Sequence, residues 1–236
     1  MRSGLAFIVS TLLCLSQLAG QGWGQQQAND WLIVPGVRVG PVTTKTVKAD
    51  LPKLFPQATV EDQELELDEG MVFPATMVNR AKQAESLAIV WTGKADDAHP
   101  KQVFVCRGRR RGVCQYHAPV AGGDIATGAK LTDLETLNGK PFTIQGFGWG
   151  YGGSVISWDD GKLQKIDCNS SLSLAIDGER NRDGDLTMDL TEAERGTFTG
   201  NRPVPSDTPA LRKLNPQITE ILVRFADPAT TKPCPR

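Results

Sequence analysis

A short segment between two cysteines concentrates positive charge. This arginine segment contains Arg107, Arg109, Arg110 and Arg111, with glycines at positions 108 and 112. Guanidinium groups recognise carboxylates and phosphates through paired hydrogen bonds, and a loop closed by a disulfide loses little entropy on binding. The segment therefore predicts a binding site for an acidic protein, a phosphate or lipopolysaccharide. The simpler interpretation is a solvated hairpin tip.

A second candidate surface is aromatic. Phe147, Trp149 and Tyr151 alternate with glycines over residues 146–152. In an extended strand the three rings share one face, and the opposite face is bare backbone. The rings then either fill the core while the glycines let another element approach closely, or form an exposed platform for a sugar or a peptide. The sequence leaves both interpretations open.

A third segment has the beginning of a calcium-binding pattern. Side-chain oxygens alternate along residues 179–185, ahead of Gly184. A calcium loop also requires a bidentate glutamate at its twelfth position, and counting from Glu179 that position holds Leu190. We therefore predict a polar turn, without a metal or any other cofactor.

The sequence contains no motif typical of nucleophilic catalysis. The G-x-S-x-G turn that exposes the serine of many hydrolases does not occur. His99 and His117 are the two histidines, and both are predicted to lie at the surface. The catalytic residues are therefore unknown, and an enzyme would need a site assembled from scattered carboxylates.

The beginning of the chain is typical of a secretory signal peptide. Arg2 supplies a positive charge, residues 5–18 form an apolar run too short to span a membrane, and small residues follow. Residues 1–22 are therefore predicted to be a signal peptide, and the mature protein to be periplasmic or extracellular. No later segment predicts a transmembrane helix. A formal net charge of −1 gives no reason to expect a nucleic-acid partner.

Four cysteines follow the predicted signal peptide, an even number that favours disulfides in an exported protein. Cys106 and Cys114 flank a predicted hairpin turn, and we expect them to pair. We then expect the remaining two cysteines, Cys168 and Cys234, to pair with each other. The alternative is four buried thiols or a metal site, but the chain contains no C-x-x-C spacing.

The order of helical and strand-like patterns predicts an α+β fold, with antiparallel sheet meanders and one short helix per half. The first half covers residues 30–118 and the second covers residues 119–236. A polar excursion rich in glycine and proline occupies residues 177–209. The predicted strands include residues 59–67 and 87–91 in the first half and residues 141–147, 163–166 and 218–225 in the second.

A weak internal repeat supports this division. Residues 40–54 align without gaps on residues 123–137 and share the pattern D-L-x-x-L, at Asp50 and at Asp133. The pattern predicts a short helix whose leucines dock on a sheet. The two halves are therefore interpreted as tandem repeats.

Two motifs near the middle of the chain carry a family resemblance. They are L-N-G-K-P-F at residues 137–142 and G-F-G-W-G-Y-G-G at residues 146–153. Together they resemble a family of uncharacterised bacterial secreted proteins, in which L-N-G-K-P-F is followed by G-F-G-W-x-Y-G-G. The similarity covers residues 31–162. In that family the position of Gly150 is often acidic, so this chain departs from the pattern there, and the resemblance implies no established activity.

A more remote similarity concerns architecture alone. A helix and a strand meander in each half look like the repeats of secreted beta-lactamase inhibitor proteins and of outer-membrane assembly lipoproteins. Taken with the surfaces above, the sequence favours an exported, non-catalytic binding module that acts on another component of the cell envelope. Its partner would be a protein, a glycan or lipopolysaccharide. The alternative is a secreted hydrolase without a visible motif.

Overall fold

The computed structural model describes residues 29–67, 70–106, 114–166, 171–178 and 189–225. Within these ranges the strands are β1 Ile33–Val34, β2 Arg38–Val39, β3 Val42–Thr43, β4 Val60–Glu66, β5 Val72–Val78, β6 Leu87–Trp91, β7 Pro100–Val105, β8 His117–Val120, β9 Gly123–Ala126, β10 Thr143–Gln145, β11 Val155–Ser157, β12 Leu172–Asp177, β13 Pro203–Pro205 and β14 Gln217–Arg224. The α-helices are α1 Leu51–Leu54, α2 Leu131–Asn138, α3 Glu192–Gly196 and α4 Pro209–Leu214. Short 3-10 helices occupy Lys48–Asp50, Gln83–Glu85 and Lys162–Lys165.

A six-stranded antiparallel sheet organises the molecule. Its strand order is β12-β14-β7-β6-β5-β4, so it combines strands from both predicted halves. Alternate residues of each strand point to opposite faces. One face packs the main core through fully buried residues such as Ile89, Val103 and Ile221.

Smaller sheets and the helices complete the fold. The strands β1-β2-β3, β11-β10-β13 and β8-β9 form three antiparallel sheets. The predicted α+β class with antiparallel sheets is therefore confirmed. The prediction of one short helix per half is wrong for the second half, which also contains α3 and α4. α3 lies within the polar stretch interpreted as an excursion, and α4 begins at the last residue of that stretch.

The D-L-x-x-L pattern performs the same task in both places. The carboxylates of Asp50 and Asp133 each accept a hydrogen bond from the backbone amide three residues earlier, at 3.1 and 3.0 Å. This contact caps the start of a helix. The leucines that follow, Leu51 and Leu134, are fully buried. Each copy of the pattern thus begins a short helix and anchors it in the core.

The predicted strand at residues 163–166 is wrong. Residues 163–165 belong to the 3-10 helix Lys162–Lys165, and Ile166 follows its end. Asn138 accepts a hydrogen bond from the amide of Leu163, and the amide of Ile166 bonds the carbonyl of Leu163. Because these two amides are already bonded, they are not available for a ladder with another strand.

Cys106 and Cys114 form a disulfide, as predicted, and both residues are buried. The bond connects the residue after β7 to the segment before β8. Cys168, Cys234, the arginine segment and the predicted signal peptide lie outside the described residues. No helix in the described part of the chain is long and apolar enough to cross a membrane.

Candidate functional site

The predicted strand at residues 141–147 is shorter in the structure, and the aromatic motif is a loop. β10 ends at Gln145 and pairs with β11, which begins at Val155. Residues 146–153 connect them and are called the aromatic loop below. The prediction that its three rings share one face of an extended strand is wrong, because Gly148 and Gly153 adopt φ values of 95° and 82°. Such left-handed conformations end the alternation of a strand.

The first end of the aromatic loop is bound to a turn that precedes β13. The amides of Gly146 and Phe147 donate to the carbonyls of Arg202 and Phe198, at 2.9 and 3.0 Å. The amide of Gly200 donates to the carbonyl of Phe147 at 2.9 Å. A β-carbon at position 146 would collide with the carbonyl oxygen of Gly200. Glycine at this position therefore permits close backbone packing.

The second end is bound to β12. The amide of Gly153 donates to Gln145 at 2.8 Å, and its carbonyl accepts from the amide of Ile176 at 2.9 Å. A β-carbon at position 153 would collide with the carbonyl oxygen of Ile176. Both ends of the loop are thus fixed by backbone hydrogen bonds that any bulkier residue would break.

The three aromatic rings separate into two environments. Phe147 is buried and packs edge-to-face against Phe198, with ring centroids 5.7 Å apart. Trp149 and Tyr151 are 61% and 55% exposed. Both interpretations of the motif therefore hold for part of it. Phe147 belongs to the core, and Trp149 and Tyr151 form an exposed pair on a fixed loop.

Short turns hold the tip that carries this pair. The amide of Gly152 donates to the carbonyl of Trp149 at 2.8 Å, and the amide of Ser154 donates to that of Tyr151 at 3.1 Å. Exposed aromatic rings on an ordered backbone can stack on the C–H face of a sugar or on an apolar side chain, and little entropy is lost because the backbone is already ordered.

The preceding L-N-G-K-P-F motif is structural. Asn138 is buried, and its amide group donates to the carbonyls of Lys140 and Trp158, both at 3.0 Å. Gly139 ends α2 in the left-handed conformation. Phe142 is fully buried against the ring of Trp158, 5.1 Å between centroids. The fold therefore accounts for the first motif, and the exposed pair of the second remains as the candidate for recognition.

A polar cleft on the main-core side of β4 is a further candidate, and it was missed from the sequence. Its volume is about 210 Å³, and Lys48, Asp62, Thr76 and Asp96 contribute its polar groups. Thr76 donates to Asp62 at 2.7 Å, and the indole of buried Trp91 donates to Thr76 at 2.9 Å. Lys48 pairs with the second carboxylate oxygen of Asp62.

Burial alone would raise the pKa of Asp62, but hydrogen bonds from Lys48 and Thr76 bring it below its ordinary value. The carboxylate is therefore ionised at neutral pH, and it suits an ion pair better than proton donation. Because the network joins residues from four separate segments, the only local signal for it was the row of acids in β4.

The remaining sequence candidates do not assemble into a site. His99 is exposed, with its Nδ1 atom 3.1 Å from the carbonyl oxygen of Thr46, and His117 is half-buried. Leu190, at the position where a calcium loop needs its glutamate, is buried in the core. Residues 179–185 lie outside the described ranges, and the residues that are described contain no cluster of metal ligands.

The chain was compared with protein-family models, with curated proteins and with solved structures. None of the three comparisons found a significant match. The resemblance to a family of bacterial secreted proteins therefore stays a prediction, and a function has to be inferred from the geometry of the site.

Proposed function

We propose that the protein is an exported, non-catalytic binding module that attaches to another component of the cell envelope through the aromatic loop. The observation that carries this proposal is the exposed pair Trp149 and Tyr151 on a loop fixed at both ends. Large apolar rings left in water on an ordered loop mark a site of interaction more often than isolated aliphatic residues do.

Export is supported by two features. The signal-like residues 1–22 are one of them, and the disulfide between Cys106 and Cys114 is the other, because disulfides persist mainly outside the reducing cytoplasm. The arginine segment follows Cys106 directly, and we propose it as a second contact for an acidic or phosphorylated group of the same partner.

The alternative proposal, a secreted hydrolase, would place its chemistry in the polar cleft. Asp62 and Asp96 both line the cleft, and some hydrolases use a pair of carboxylates. Asp62, however, is held as an anion by Lys48 and Thr76. A general acid needs a raised pKa, so the cleft favours binding over proton transfer.

The test uses the mature protein and defined envelope components. Peptidoglycan sacculi, lipopolysaccharide vesicles and immobilised outer-membrane proteins are each incubated with the protein, and the bound fraction is measured by co-sedimentation. The variant Trp149→Ala/Tyr151→Ala should lose at least about tenfold in affinity for whichever component binds, as truncation of central aromatic anchors does. Val37→Ala is the matched control, because Val37 is 53% exposed but lies in the turn between β1 and β2.

Other outcomes assign the function differently. Full binding by the double aromatic variant would refute the role of the loop. Loss of binding only in Arg109→Ser/Arg110→Ser/Arg111→Ser would transfer the site to the arginine segment. Release of soluble fragments from the sacculi over time, abolished by Asp62→Asn, would support the hydrolase instead.

A direct spectroscopic readout is also possible. Trp91 and Trp158 are buried and Trp31 is half-buried, so Trp149 is the most exposed tryptophan of the described residues. In a Trp23→Phe background, a bound component should protect this fluorophore from acrylamide quenching. Unchanged quenching at saturation would show that the ligand binds elsewhere.

A further inference from the structure

The edge strand β4 has a free side. It ends the six-stranded sheet, and among the described residues its only strand partner is β5. The amide of Asn79 donates to Thr59, and the amide of Leu67 donates to Met71. In an antiparallel ladder such bonds recur at every second residue. The odd-numbered residues therefore bond β5, and the backbone groups of Asp62, Glu64 and Glu66 point away from the sheet.

The polar cleft adjoins this free edge. The side chains of the even-numbered residues lie on the face that packs the main core, where Asp62 meets Thr76 and Val60 joins the lining of the cleft. The opposite wall comes from Leu51 and Pro52. An extended segment that paired with β4 would place every second side chain on this face. One of them would enter the cleft.

The negative charge of β4 indicates which kind of segment could pair with it. Four of the seven residues of β4 are acidic, and among the described residues only Glu64 and Asp62 are paired with lysines, Lys94 and Lys48. A second copy of β4 would set carboxylates against carboxylates, which destabilises strand pairing. A basic segment would instead meet complementary charge along the edge. Inside the cleft, apolar walls suit an aliphatic stem, and the carboxylate of Asp96, in the same cleft as the Asp62–Lys48 pair, suits a cationic head.

We propose that β4 binds an extended, basic segment of a partner protein as a seventh strand of the sheet, with one lysine or arginine side chain in the polar cleft. Main-chain hydrogen bonds to Asp62, Glu64 and Glu66 supply affinity in this mode of recognition, and the cleft supplies specificity. The proposal is independent of the aromatic loop.

The test uses a fluorescein-labelled ten-residue peptide in which arginine alternates with valine, and a matched peptide with glutamate in place of arginine. Fluorescence anisotropy should detect binding of the arginine peptide and at least about tenfold weaker binding of the glutamate peptide. Glu64→Pro removes an outward-facing amide without touching the ladder to β5, and should weaken binding at least about tenfold. Lys94→Gln breaks the same Glu64 ion pair but keeps the amide, and should bind as well as the wild type.

Hydrogen exchange on the wild-type protein provides a readout that does not depend on a variant. The outward amides of Asp62, Glu64 and Glu66 should exchange quickly in the free protein and slowly with saturating arginine peptide. Binding without this protection, or equal binding by Glu64→Pro and Lys94→Gln, would overturn strand addition. Protection of the same amides in a concentrated sample without peptide would overturn the assignment of the occupant, since a second copy would then fill the edge.

Discussion

Phe147 and Trp149 are two residues apart, yet truncating each to alanine should have opposite effects on stability. Phe147 is buried against Phe198, and removing a buried phenylalanine costs about 3 to 5 kcal/mol in free energy of unfolding. Part of that cost comes from the edge-to-face ring pair, worth about 0.5 to 1.5 kcal/mol. Phe147→Ala should therefore consume a large share of a typical stability of about 5 to 15 kcal/mol.

The cost for Trp149 follows from its exposure. The side chain is 61% exposed, so about two fifths of its surface is covered. Full burial of an aromatic side chain removes about 200 Å² from water, and two fifths of that area corresponds to about 2 kcal/mol at about 25 cal/mol per Å². This figure is an upper bound, because the unfolded chain also covers part of its apolar surface. Trp149→Ala should therefore cost less than about 2 kcal/mol.

The measurement is thermal denaturation of the mature, oxidised protein, followed by far-ultraviolet circular dichroism. For a chain of this size, about 1 kcal/mol shifts the melting temperature by roughly 2 to 4 °C. We expect a fall of about 6 to 20 °C for Phe147→Ala and a smaller fall, below about 8 °C, for Trp149→Ala. Equal losses for the two variants would refute the separation of the rings, since Trp149 would then be part of the core. The binding surface would have to be sought elsewhere.

Three other predictions concern stability. Asn138→Ala should cost about 2 to 4 kcal/mol in urea denaturation, because it removes hydrogen bonds to Lys140, Trp158 and Leu163 and leaves buried backbone groups unpaired; a loss below about 1 kcal/mol would contradict this role. Replacing Cys106 and Cys114 together with serine should cost about 2.6 kcal/mol, the chain-entropy value for a loop of about nine residues, and an unchanged transition midpoint would argue that the bond does not form in solution. Burial raises the pKa of Tyr116 above its ordinary value of 10.0, so the unfolded state ionises first and stability should fall as pH rises above about 10. Tyr116→Phe should lose less stability than the wild type between about pH 9 and 11, and parallel curves would exclude the effect.

Much of the fold followed from patterns of short range. Strand-like patterns located β4, β6 and β14 to within two residues, and D-L-x-x-L located two short helices. The pairing of Cys106 with Cys114 followed from the short distance between them in sequence. Each of these features depends on residues that are close in the chain. Interactions between such neighbours can be recognised from a single sequence.

The errors have long-range causes. Residues 163–166 were predicted as a strand, but the side chain of Asn138 binds the amide of Leu163 from a distant helix end. The aromatic motif alternates like a strand, but the amides of Gly200 and Ile176 donate to the carbonyls of Phe147 and Gly153 near its two ends. Gly200 and Ile176 are remote in sequence from the loop. The sequence therefore did not indicate which glycines of the loop would pack against another backbone and which would adopt a turn conformation.

The two proposed surfaces lie at opposite edges of the same sheet. The aromatic loop covers part of β12, through the hydrogen bond from Ile176 to Gly153 and the bridge between Ser154 and Ala175. β4 lies at the other end of the six strands. Five strand spacings of about 4.8 Å place the edges about 24 Å apart. A ligand on one surface would therefore not exclude a ligand on the other. Under the two proposals, the protein would connect an envelope component bound at the aromatic loop with a basic protein segment bound at β4.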